Sequence, residues 1–185
     1  MYLKINTSGI HSYRYHKWDK NKIVNADEKY ASLLEESVLS HLVSSVPVTS
    51  FLSGGIDSST IASVLSENDS KIPLTCLKML NKSYDESDKA KLVAKQLNMD
   101  LQIIQDEQPS FKDLKNIAYH SDDLINDPAL ISNYFLFKNT SNNFKVSLSG
   151  DGADELFLGY HTHLATILSG NKQMKLLRPI FNITE

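Results

Sequence analysis

The spacing of apolar residues changes several times along this chain, and each change marks an element. From Asp27 onward, Tyr30, Leu34, Val38 and Leu42 recur at helical spacing, with Leu33 and His41 alongside and Asp27 as a candidate N-cap. Residues 1–26 show no sustained period and end in the polar run Lys17-Trp18-Asp19-Lys20-Asn21-Lys22. They read as a linker or edge segment whose Tyr13, Tyr15 and Trp18 dock on a surface. Residues 27–185 read as the folded domain.

Past Pro47, short apolar runs alternate with amphipathic stretches. Strands are expected over 46–52, 72–80, 101–104 and 144–148. Helices are expected over 58–67, 86–97, 110–120 and 129–138, with more helix after Asp151. Repeated βα units predict an α/β fold, a doubly wound parallel sheet with flanking helices. One echo stands out. Phe51-Leu52-Ser53-Gly54-Gly55 and Ser147-Leu148-Ser149-Gly150-Asp151 are both apolar strands that run into Ser-Gly.

Composition narrows the class without naming a chemistry. At 185 residues, 41% hydrophobic and 22% charged, the chain has enough apolar material for a core without covalent staples. A net charge of −3 gives no general electrostatic reason to expect nucleic acid or an anionic membrane as partner. Cys76 is the single cysteine, so no intramolecular disulfide forms, and a reducing, cytoplasmic setting is expected. No apolar run reaches the roughly 18–20 residues of a membrane span, and the N-terminus has no apolar core for a signal peptide. Cys76 reads as a small buried hydrophobe. His161 and His163 lack the further spaced ligands of a metal site.

The first loop, Ser53-Gly54-Gly55-Ile56-Asp57-Ser58-Ser59, lies between a strand and a helix. Its glycines permit a tight turn and close ligand approach, the helix start offers backbone N–H groups to an anion, and Ser53, Ser58 and Ser59 add hydroxyls. Asp57 would repel a phosphate unless a cation intervened, so it reads as a Mg²⁺ ligand. The loop lacks the Lys and the spacing of the kinase-type phosphate loop. It suits a pyrophosphate that leaves as a unit.

The second loop, Ser149-Gly150-Asp151-Gly152-Ala153-Asp154-Glu155, carries three carboxylates beside two glycines. Packing gives no reason for that on a strand end. Both loops should emerge at the carboxyl edge of the sheet, where ligands bind. Asp154 could share the metal with Asp57, while Asp151 and Glu155 orient a ligand or a neighbouring helix. The competing reading is that Asp154 and Glu155 simply favour a helix N-terminus.

The stretches VPVTSFLSGGIDSS and LSGDGADELFLGY together resemble the synthetase domain of glutamine-dependent asparagine synthetases, over about residues 13–163. Ser83-Tyr84-Asp85-Glu86-Ser87 and the Asp122–Pro128 stretch are similar to further family segments. The resemblance implies the adenine nucleotide alpha hydrolase-like fold of the ATP pyrophosphatase type. It implies a ligase that uses ATP and Mg²⁺ to adenylate the aspartate side chain, releases pyrophosphate, and lets ammonia displace AMP to give asparagine. On that pattern Ser53, Gly54, Gly55, Asp57 and Ser58, with Ser59 beside them, hold pyrophosphate. Asp57 and Asp154 hold the metal. Leu52, the strand at Lys78, Ser149 and Gly150 meet the adenosine. Asp57, Asp151 and Asp154 are the expected catalytic carboxylates.

Four departures qualify that pattern. Met1 is followed by Tyr2, where the family's glutaminase domain exposes a cysteine, so no glutamine hydrolysis is expected of this chain. Asp151 and Lys78 replace the Glu and the apolar residue common in the family. Only 25 residues follow Tyr160, and neither Lys172 nor Lys175 matches the family's late catalytic Lys. The expectation is therefore a truncated synthetase domain, with a separate glutaminase or C-terminal subunit as a possible partner. Two readings stay open: an adenylating ligase, with aspartate or another acceptor, and a nucleotide-binding subunit that is not catalytic alone.

Overall fold

The computed structural model describes residues 2–15, 26–121 and 127–170. The readings that fall on Trp18, residues 122–126, Lys172 and Lys175 lie outside the described residues. The chain divides into two compact units, residues 1–35 and 36–185.

In the first unit, β1 (Tyr2–Asn6) and β2 (Gly9–Tyr13) form an antiparallel hairpin, with Tyr2 opposite Tyr13 and Ile5 opposite Ile10. Gly9 takes φ +130° at the turn, a conformation that suits glycine. Sequence periodicity did not reveal this hairpin, whose strands are only five residues each. Tyr13 and Tyr15 are exposed and stack on Tyr2, at 5.1 and 6.4 Å between ring centres. Helix α1 (Ala26–Ser40) follows, and the expected cap Asp27 lies one residue inside it.

The second unit holds a four-stranded parallel sheet. In chain order its strands and first helices are β3 (Val48–Phe51), α2 (Ile56–Glu67), β4 (Leu74–Lys78), α3 (Ser87–Gln96) and β5 (Leu101–Gln105). There follow α4 (Phe111–His120), α5 (Ala129–Thr140), β6 (Val146–Leu148), α6 (Ala153–Phe157) and α7 (His161–Gly170). Every strand and helix expected in this region forms, with ends shifted by a few residues, as is usual for element boundaries. The shift that matters is at α2. It starts at Ile56 rather than Ser58, which places Asp57 in its first turn.

Strand order is β5-β4-β3-β6, all neighbours parallel. The chain moves outward from β3 through β4 to β5, then returns to place β6 on the other side of β3. The loops after β3 and β6 therefore diverge at the carboxyl edge, the switch point where doubly wound sheets form a crevice.

Alternation of side chains gives the sheet two buried faces. Leu74 and Cys76 of β4 join Leu52, Ala62 of α2 and Ala90 and Ala94 of α3 in one core cluster. Alanines at these helix positions let the backbones approach the sheet closely. On the other face the Phe51 ring meets Phe137 of α5 edge-on, with centroids 5.4 Å apart. Thr49 and Thr75 share a buried hydroxyl hydrogen bond of 2.8 Å between β3 and β4. Helix α4 begins in a capping box between Ser110 and Asp113. Asp113 also accepts from Tyr134 and Lys138 of α5, each at 3.2 Å, which ties α4 to α5. The Ser110 hydroxyl, ahead of the ammonium of Lys138, holds the Asp113 carboxyl well below the usual carboxylate range.

Candidate functional site

Two adjoining cavities open at the carboxyl edge of the sheet. The larger, about 670 Å³, has Leu52, Thr75 and Leu77 on its strand side and Pro128, Ala129 and Ser132 on its α5 side. Tyr84 and Glu86 also line it. The smaller, about 320 Å³, lies between the two glycine loops and carries Asp57, Ser58, Ser149, Asp151, Asp154 and Glu155. Phe51, Ser53, Asn133 and Leu136 line both. Volumes of this size suit small-molecule ligands.

The first loop is built as much by packing as by ligand needs. Gly54 takes φ +84°, and a Cβ there would stand 2.6 Å from Lys89 Cβ and 2.8 Å from the Ala90 nitrogen. Its missing side chain lets α3 close against the loop. The serines hold one another. The Ser53 N–H donates to Ser58 Oγ at 3.2 Å, and Gly55 N–H donates to Ser53 Oγ at 3.2 Å. Ser58 is buried, and its hydroxyl also contacts Ser53 Oγ at 3.0 Å. Ser59 Oγ is buried and has no hydrogen-bond partner among the described residues. Asp57 is exposed on the first turn of α2, whose N-cap Gly55 supplies no side-chain cap.

The second loop approaches the first at one point. A Cβ on Gly150 would lie 3.0 Å from Asp57 Cβ. Asp151 accepts from Ser149 Oγ at 3.0 Å. Asp154 is half-buried under Gly159, where any side chain would overlap its carboxylate. Glu155 accepts from the Tyr160 hydroxyl at 2.8 Å, which pulls its carboxyl below the ordinary value and raises the Tyr160 phenol.

Asp57 and Asp154 thus line one cavity with Ser53, Ser58, Ser149, Gly150 and Asp151. Gly54, Gly55 and Ser59 shape the loop without lining either cavity. Leu52 lines the larger cavity from the core, 1% exposed. Ser149 and Gly150, expected beside adenosine, line the smaller cavity. Lys78 is exposed at the end of β4 and lines neither, while its neighbours Leu77 and Met79 line the larger. Two hard carboxylates facing one cavity suit a Mg²⁺ ion that takes its remaining ligands from phosphate oxygens and water. Among the described residues no group of three or more His, Cys, Asp or Glu is placed to hold a metal by itself.

Some roles were not readable from sequence. Asp85 accepts from the backbone N–H of Met79 (3.3 Å) and Ser87 (3.1 Å), so it shapes the cavity wall at the start of α3. Cys76 reaches the larger cavity from β4, and burial pushes its thiol up to about 11. Asn133, on the apolar helix α5, carried no motif.

The model of the asparagine synthase family matches residues 29–180. The chain belongs to the asparagine synthase family. Asparagine synthetase [glutamine-hydrolyzing] 1 of Bacillus subtilis is 41% identical over 130 residues, which cover 69% of this chain and 20% of that protein. Asparagine synthetase [glutamine-hydrolyzing] 3 of the same organism is 32% identical over 197 residues, covering 94% and 32%. The chain therefore spans a minor part of these relatives' length. An NMN synthetase from Francisella tularensis aligns with a TM-score of 0.45 at 20% identity, covering 72% of this chain and 58% of that one. Among the described residues, no helix is long and apolar enough to cross a membrane.

Proposed function

We propose that this member of the asparagine synthase family is an ATP-dependent, amide-forming ligase domain. In this reading the substrate carboxylate, that of the aspartate side chain, attacks the α-phosphorus of ATP. The bond to the bridging oxygen breaks and pyrophosphate leaves. Ammonia then attacks the acyl carbon of the β-aspartyl adenylate, and AMP departs as asparagine forms. The observation that carries the reading is the juncture of the two loops. Asp57 and Asp154, from opposite sides of the switch point, line one polar cavity that shares four lining residues with a larger apolar one.

The base and ribose fit the larger cavity, between β4 and α5. The phosphates fit the smaller one, over the first turn of α2, whose backbone N–H groups and dipole favour negative charge. Asp57 and Asp154 would hold Mg²⁺, which when bound offsets phosphate charge and steadies the leaving pyrophosphate. Ser53 and Ser58, fixed by their mutual hydrogen bonds, keep the loop in shape before the ligand arrives, so little ordering cost falls on binding. Asp151 stands on the same cavity, where it can orient the acceptor or the incoming amine.

ATP–pyrophosphate exchange tests the reading. Exchange dependent on L-aspartate and abolished in Asp57→Ala supports the ligase. ATP binding with no exchange for any carboxylic acid would leave a nucleotide-binding subunit in its place. Recovery of exchange on adding a separate glutaminase or C-terminal subunit would identify the partner such a subunit needs.

A further inference from the structure

Helix α5 runs past both cavities, and its residues divide between them by height. Ala129 and Ser132 face the larger cavity alone, Phe137 the smaller alone, and Asn133 and Leu136 both. A ligand that occupies the two cavities together crosses the boundary that Asn133 shares with Phe51, Ser53 and Leu136. Two of these four residues, Phe51 and Leu136, are apolar. The third, Ser53, already accepts from the Gly55 N–H and contacts Ser58 Oγ. Asn133 is exposed, and no side-chain hydrogen bond to another described residue engages its amide. A carboxamide offers two N–H donors and one acceptor oxygen.

We infer that Asn133 is a ligand-contacting residue that donates its amide N–H to the α-phosphate of a bound nucleotide. The inference rests on the nucleotide reading above and deepens it. The α-phosphate is the group that joins the base-and-sugar portion of the ligand to its pyrophosphate portion, so it lies at the boundary between the cavities. The amide carries no charge. It can therefore hold the phosphoryl oxygen in the ground state and follow it as the group is transferred, and it adds no cation beside Asp57 and Asp154.

Calorimetric titration of the full chain with AMP, adenosine and inorganic pyrophosphate separates the ligand's parts. Asn133→Ala should weaken AMP about tenfold or more, as loss of a hydrogen bond to a charged group does, and leave adenosine and pyrophosphate within about twofold. Asn133→Asp, of equal size but without a donor and with a negative charge, should weaken AMP further. Asn133→Ser should recover part of the loss. Melting temperatures near that of the unsubstituted chain would show that folding is not what changed. AMP affinity within about twofold in both the Ala and Asp variants would overturn the inference, and so would an equal loss for adenosine. Failure of the unsubstituted chain to bind AMP or ATP would bring down the nucleotide reading and this inference with it. Normal binding indifferent to residue 133 would remove this inference alone.

Discussion

The two glycine loops look alike on paper, each a strand running into Ser-Gly and then an acid, yet different forces hold them. The first is pinned by packing. Gly54 lies against the backbone of α3, Ser58 is buried, and the serines bond to each other. The second is held by short-range hydrogen bonds among exposed groups, Ser149 to Asp151 and Tyr160 to Glu155. Its Gly152 takes φ +90° with open space where a Cβ would be, and Leu158 also takes a left-handed conformation at φ +61°. The same residue letters thus answer to different demands. In the first loop much of the motif is explained by folding, and Asp57 is the residue folding does not need. In the second, most of the acids have no folding reason beyond the start of a five-residue helix.

That contrast predicts opposite outcomes for two glycine substitutions. Gly54→Ala must force α3 away from the loop in an already unfavourable backbone conformation. It should cost about 2–5 kcal/mol in urea unfolding. Gly152→Ala meets only the backbone penalty and should cost about 1–2 kcal/mol. Equal losses would break the comparison.

The carboxylates give the converse result. On the proposed function, Asp57→Asn and Asp154→Asn should each reduce aspartate-dependent pyrophosphate exchange by about 100-fold or more, because each removes a charge that would hold the metal against the phosphates. Both should leave urea midpoints nearly unchanged for Asp57, which is exposed, and slightly lowered for half-buried Asp154. A large stability loss in Asp57→Asn would mean that the first loop uses its acid to fold.

How much of this was legible beforehand follows the same physics. The βα alternation was readable because each strand of the second unit is an apolar run bounded by turn residues, and the pattern follows burial on both faces. The loops were readable because Gly, Ser and Asp cluster where apolar strands end, a pattern that marks a βα turn whether folding or a ligand requires it. The hairpin at residues 2–13 was hidden because each strand is only five residues long, too short for the alternation of Leu3 and Ile5 with Tyr2, Lys4 and Asn6 to stand out. Lys78 followed from register with a family motif; it is exposed at the end of β4, while Leu77 and Met79 on either side of it line the larger cavity. Asn133 gave no signal, since a single amide on an apolar helix reads as surface until the opposite wall is known. Asp85, read only as part of a stretch similar to a family segment, is a backbone anchor that accepts from the N–H groups of Met79 and Ser87.

The point where the loops meet offers a smaller test. Gly150→Ala would place a methyl group 3.0 Å from Asp57 Cβ, closer than van der Waals contact allows without a small shift. The first loop cannot yield, being packed on α3, so the second should move. Exchange should fall about tenfold, as a displacement of an ångström in a positioned site allows, with a stability loss of about 1 kcal/mol. An unchanged exchange rate would mean that the carboxylates of the two loops act without a fixed spacing.

The smallest effect belongs to the second loop alone. Its Glu155 carboxyl is lowered chiefly by the hydrogen bond from the Tyr160 hydroxyl. A carboxyl whose folded value lies below its unfolded value, near 4.3 for Glu, favours the folded state above that unfolded value. That contribution disappears as pH falls through the lowered folded value. In Tyr160→Phe the donor is gone, so the Glu155 titration followed by NMR of its side-chain carboxyl carbon should move up toward the ordinary value. The acid limb of the unfolding curve should then begin at slightly higher pH. The first loop has no such exposed hydrogen-bonded pair, and its packing about Gly54 should be indifferent to the substitution. A shift at Glu155 with no change in exchange would confine Tyr160 to shaping the loop. A shift accompanied by a change in the pH profile of exchange would put the pair in the acceptor chemistry with Asp151.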